Sequence, residues 1–107
     1  MASSRKFLGK GQLAGTNTTI YAPTGNAVGT IGVLSFYNTS STAQVTITIY
    51  AQHTGTPDRI LDRVVLNPQK SYICRSAINQ VVESGYLISG LASTGALVDF
   101  TISGAEE

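Results

Sequence analysis

His53 is the one histidine of the chain, in Ala51-Gln52-His53-Thr54-Gly55-Thr56-Pro57. A histidine acting as general base needs a nucleophile within hydrogen-bond reach and a carboxylate to orient its ring. Asp58 and Asp62 follow closely and hydroxyl side chains are plentiful, yet no spacing gathers acid, base and nucleophile. The reading is a loop histidine at a strand end, in a protein with no catalytic residues. Asp58-Arg59 and Asp62-Arg63 repeat a charged doublet. Two carboxylates are too few for a calcium loop, which draws more oxygens from one segment. The arginines are expected to pair with these aspartates, or to make bidentate contacts between subunits. Gly9-Lys10-Gly11 and Gly29-Thr30-Ile31-Gly32 lack the spacing and following helix of a phosphate loop, and read as bulges. No cofactor or metal is implied.

Cys74 is the single cysteine, so no internal disulfide exists. It lies in the apolar run Ser71-Tyr72-Ile73-Cys74, where a small core residue is expected. Asn17-Thr18-Thr19 and Asn38-Thr39-Ser40 match the glycosylation sequon, read as chance without a secretion signal. Tyr21, Tyr37, Tyr50, Tyr72 and Tyr86 all fall in expected strands, as core or interface rings with a wet hydroxyl. Arg5, Lys6 and Lys10 form a small basic cluster near the N-terminus.

The elements that must carry these residues repeat every two positions. Val45, Ile47 and Ile49 alternate with Thr46, Thr48 and Tyr50, so one strand face is aliphatic and the other hydroxyl-bearing. Ile31–Tyr37 is a more apolar strand, and Asn38–Thr42 between the two reads as a hairpin turn. Further strands are Thr18–Tyr21, Ile60–Leu66, Lys70–Cys74, Tyr86–Leu91 and Leu97–Ser103, each bounded by Gly, Pro, Asn or Ser. In the last, Val98, Phe100 and Ile102 share one face. Ser76–Glu83 has helical spacing, but its β-branched content favours a short turn or strand. Turn signals about every ten residues predict an all-β chain: an antiparallel, jelly-roll-like β-sandwich of seven to nine short strands. The core is expected to hold Val45, Ile47, Ile49, Val98, Phe100 and Ile102.

A length of 107 residues is one domain, 1–107, with residues 1–10 expected as a flexible N-terminal arm. Charged residues are only 12%, about half the usual share, and Thr, Ser, Gly and Asn replace them. Such a surface suits contact with other protein. A net charge of +1 supplies no field for nucleic acid or anionic membrane. No apolar run reaches membrane-spanning length, and Gly9, Lys10 and Gln12 interrupt any signal-peptide core, so synthesis and use in a cytoplasm are expected.

Gly11-Gln12-Leu13, Thr19-Ile20-Tyr21-Ala22-Pro23, Asn38-Thr39-Ser40, Val45–Tyr50, Asp58-Arg59-Ile60-Leu61 and Phe100–Gly104 together resemble the small β-rich virion proteins of tailed bacteriophages. The resemblance spans nearly the whole chain and carries no catalytic motif. It implies a structural protein of the virion, made in the host cytoplasm: a capsid decoration (cement) protein, or a tail or fibre component such as a carbohydrate-binding module. For a decoration protein the expected partners are the major capsid protein and copies of itself, a trimer matching the local threefold points of an icosahedral shell. Arg5, Lys6 and Lys10 are then the segment expected to order on the shell, and Arg59 and Arg63 the anchors between subunits.

Overall fold

The computed structural model describes residues 4–53, 59–83 and 85–106; within these, the side chains of Ser4, Arg5, Lys6 and His53 lie outside the description. Nine strands form: β1 Ser4–Gln12, β2 Thr18–Tyr21, β3 Gly29–Asn38, β4 Val45–His53, β5 Arg59–Leu66, β6 Ser71–Ile73, β7 Val81–Val82, β8 Tyr86–Ala92 and β9 Val98–Glu106. A 3-10 turn at Arg75–Ala77 and the two-residue β7 occupy the stretch read as a short turn or strand.

The pairing is nested. β4 pairs antiparallel with β5, β3 with β6 and β7, β2 with β8, and β1 with β9. One long folded-over ribbon, closed at the β4–β5 hairpin, has rolled up so that successive pairs fall in alternate layers. The front sheet runs β1-β9-β3-β6, with β7 continuing the β6 column, and the back sheet runs β2-β8-β4-β5. This is the jelly-roll order.

The core lies between the sheets. Val45, Ile47 and Ile49 from the back sheet meet Val98, Phe100 and Ile102 from the front, and all six are buried, as their alternation predicts. Leu34, Phe36, Ile31 and Leu13 complete the interior, and Cys74 is fully buried beside Ala77.

Two expectations change. First, β3 and β4 are not a hairpin but lie in different sheets, and residues 39–44 arch between them. Asn38 makes the arch. Its buried amide donates to the carbonyls of Ala43 (2.8 Å), Leu66 (3.1 Å) and Asn67 (3.2 Å), and its Oδ1 accepts from the Ser40 N–H (3.0 Å). Every polar atom of the side chain is used, which repays its burial. The asparagine of the Asn38-Thr39-Ser40 sequon is therefore buried in the fold. Second, residues 4–10, expected as part of an arm, belong to β1 and pair with β9 as far as Ser4↔Glu106. Gly11 lies opposite Phe100 and a Cβ there would stand 3.2 Å from the ring, while Gly9 comes close to Ile102. Side chains of β9 thus fill the inner side of β1 at its glycines, and Leu8 is the residue of β1 that packs against the core.

Candidate interaction surfaces

The five basic residues singled out from the sequence do not converge. Arg5 and Lys6 lie in β1 opposite Ala105 and Gly104, with their side chains outside the description. Lys10 is exposed on the outer face of the front sheet, opposite Thr101. Arg63 stands opposite Thr48 on the outer face of the back sheet, and its Nε donates to Thr48 Oγ1 (3.3 Å). Arg59 is exposed opposite Ala51, on the core-side parity of β5. A regular strand would put Arg59 and Arg63 on one face; an irregularity in the β4–β5 register between Ile49 and Tyr50 separates them.

The same alternation undoes the expected Asp62–Arg63 pairing. Neighbours in a strand point to opposite faces, and Asp62 sits opposite Ile49, on the core side. Its carboxylate accepts from the Tyr72 hydroxyl, from the Arg63 backbone N–H (2.8 Å) and, at 3.9 Å, from the Cys74 thiol. The hydrogen bond to Asp62 pushes the Tyr72 phenol up to about 12, with burial and the Asp62 charge adding. Burial pushes the Cys74 thiol up, and the Asp62 charge acts in the same direction. A buried thiol held protonated is a poor nucleophile, so this cluster closes the β5–β6 edge of the sandwich and offers no reactive centre. Asp58 and the His53 side chain lie outside the described residues. Among the described residues no three His, Cys, Asp or Glu side chains are grouped to hold a metal, and no helix is long and apolar enough to cross a membrane.

What the sequence reading missed is the distribution of exposed apolar side chains. On the front sheet, Phe7 opposes Ser103 and Val81 opposes Thr30, and each is 56% exposed. Ile73 opposes Ser35, Tyr37 opposes Asp99, and Ile78 is exposed beyond the 3-10 turn. On the back sheet, Ile60 opposes Tyr50 and Val65 opposes Thr46, each 55% exposed. Single exposed apolar residues need no explanation, but here they gather on the outer faces of both layers. Alternation of β5 and β6 held the signal, since Ile73 and Val65 fall on the face opposite the core.

The tyrosines do not share a platform. Tyr37 is on the front sheet and Tyr86 on the back, while Tyr21 and Tyr72 spend their hydroxyls on Glu106 and Asp62.

No protein-family model matches this chain, and no curated protein matches it in sequence. Its fold is shared with a solved structure from work reporting that Bacillus endospore appendages form a novel family of disulfide-linked pili. The TM-score is 0.51 at 15% identity, and the alignment covers 98% of this chain and 85% of that one. At that identity the likeness is one of fold.

Proposed function

We propose that this domain is a structural subunit that acts through non-covalent contacts with other protein copies, and specifically that it is a decoration protein on the assembled capsid of a tailed bacteriophage. The observation that carries the structural reading is that both outer faces of the sandwich present exposed apolar side chains, Phe7, Ile73 and Val81 on one and Ile60 and Val65 on the other. A subunit of a continuous assembly needs at least two contact surfaces, and a small domain gains firm attachment by making several weak contacts on a fixed lattice. The low share of charge supports the same reading, since charged residues are depleted at interface centres. The capsid assignment rests on the virion-protein resemblance of the strand and turn phrases. The endospore pili are described as disulfide-linked; in this chain the one cysteine is buried, so the proposed contacts are non-covalent.

The test mixes the purified protein with undecorated phage shells and with soluble shell-protein monomers. Saturable binding to shells, weak binding to monomers and a higher melting temperature of decorated shells are expected. Binding to a glycan array by a protein that ignores shells would replace this reading with a receptor-binding module of a tail or fibre.

A further inference from the structure

The front face of the sandwich carries a knob and a hollow placed symmetrically about one strand. β9 runs between β1 and β3, and at Ser103 the two ladders align: Phe7 of β1 opposes Ser103 from one side and Val33 of β3 from the other. Both ladders are irregular at this level, between Phe7 and Gly9 on one side and between Ile31 and Val33 on the other. On the β3 side, Gly32 and Gly104 leave the backbone bare. A Cβ on Gly104 would stand 2.1 Å from the Thr30 carbonyl oxygen, so no larger residue fits there. The result is an open hollow of about 630 Å³ lined by Thr30, Gly32, Val33, Asn79, Ser103 and Ala105. Across Ser103, Phe7 is mostly exposed.

A twofold axis laid along β9 exchanges the β1 and β3 columns. Phe7 of one copy then comes over the Gly32–Val33 hollow of the other, and the reverse contact forms at the same time, as an isologous interface requires. We propose that two copies of this chain pack front sheet to front sheet about such an axis, each seating Phe7 in the hollow of the other. The proposal rests on the reading of the chain as an assembly subunit and names one of its partners as the chain itself.

Four polar side chains of this face suit burial. Ser35 Oγ and Thr101 Oγ1 are hydrogen-bonded to each other at 2.8 Å, and Gln12 Nε2 donates to Asp99 Oδ1 at 3.0 Å. Covering the face leaves these four groups partnered, so they add little desolvation cost. Lys10, exposed on the same face opposite Thr101, must carry its ammonium out to water along its stem from the edge strand β1 as the faces close. The size suits a weak, reversible pairing. With the axis on β9, three strand columns of each copy overlap, β1, β9 and β3; at about 4.8 Å spacing and about nine residues of about 3.4 Å each they give a flat area of roughly 450 Å². That lies below the roughly 800 Å² per partner of a standard interface, in the range of transient contacts. Phe7, 56% exposed in the single chain, supplies its uncovered half to the contact.

Sedimentation equilibrium of the purified chain over about 1–200 µM tests the pairing. A monomer–dimer equilibrium is expected. Phe7→Ser, and separately Gly32→Val, which fills the hollow at a position with ordinary packing distances to Gly104 and Ser103, should each weaken it at least tenfold. Val65→Ser on the opposite sheet should leave it unchanged, and circular dichroism confirms that each variant is folded. Register is read with the double variant Lys10→Cys/Ser35→Cys, which keeps Phe7 and the hollow intact; both positions oppose Thr101, from β1 and from β3. Within one chain they are two strand spacings apart, about 10 Å, too far for a disulfide, so a covalent dimer on mild oxidation that neither single variant gives reports the proposed pair. A wild-type chain that stays monomeric, or a dimer indifferent to both Phe7→Ser and Gly32→Val, overturns the pairing. Shell binding is scored separately: a monomer that binds shells removes the pairing and keeps the structural reading, whereas a dimer that binds no particle keeps the pairing and removes the decoration reading.

Discussion

The two open sides of the sandwich are closed by the same chemical device, held by different forces. At one side Tyr21 of β2 donates its hydroxyl to Glu106 of β9 at 2.5 Å, tying back sheet to front. At the other, Tyr72 of β6 donates to Asp62 of β5, tying front to back. Tyr21 is buried, and its ring lies so close over Gly29 that a Cβ there would stand 2.2 Å from the hydroxyl oxygen. Burial is the leading cause that raises its phenol, with Glu106 second. For Tyr72 the order reverses, with the hydrogen bond to Asp62 first and burial second. One clasp is therefore mainly a packing feature that depends on a missing side chain in β3. The other is mainly polar and depends on a single carboxylate in β5. A neutral phenol suits both, since it donates to a carboxylate without adding a second charge beside the core.

The comparison can be broken in graded steps. Ile47→Ala, in the core that both clasps enclose, sets the scale with an expected loss of about 2–5 kcal/mol in urea unfolding; a loss under about 0.5 kcal/mol would mean that the back sheet does not bury this face. Gly29→Ala should cost about 1–3 kcal/mol because the Tyr21 ring must move. A double-mutant cycle with Tyr21→Ala should show strong coupling, and additivity would contradict the close approach. Raising the pH tests both clasps together. Each phenol is neutral in the fold and titrates above its ordinary value near 10, so the native state holds protons that the unfolded state gives up. Their stabilisation is complete below about pH 10 and declines above it. The Tyr72 contribution fades as the pH approaches about 12, and that of Tyr21 persists further. Melting temperatures between about pH 9 and pH 12, with phenolate absorbance as the second readout, should show late titration of two tyrosines. The smallest effect belongs to Tyr72→Phe, about 0.5–1.5 kcal/mol, since the partly exposed Asp62 carboxylate regains water. That variant should also lose one of the late-titrating phenols, and an unchanged titration curve would remove the Tyr72–Asp62 bond from the account.

Strand existence was legible wherever apolar residues alternate with polar ones. Thr18–Tyr21 is recovered residue for residue, and Val45, Ile47 and Ile49 fall inward as their pattern requires. β1 was not legible. Apart from Leu8 its inner contacts are made at glycines, and the rings and methyl groups that cover these come from Phe100 and Ile102, about ninety positions later in the chain. Of the candidate interface, the residue types were visible but their grouping was not. Arg59 and Arg63 look like one face until a register irregularity parts them, and Phe7, Ile73 and Val81 come to share one sheet face only through β9 and β3.

The sequence by itself determined the class of the protein: an all-β sandwich with one core, a weakly charged surface and a single cysteine placed in an apolar run. Those properties follow from composition and from a two-residue period, which each strand carries locally. Tertiary structure alone decided which turn is a hairpin and which an arch between layers, because Asn38–Thr42 suits both and the choice is made by the buried Asn38 amide reaching Leu66 and Asn67. It also decided which side chains are clasps and which are contact surface. A strand fixes the face on which a residue lies, but what that face meets depends on ladders formed between segments far apart in the chain.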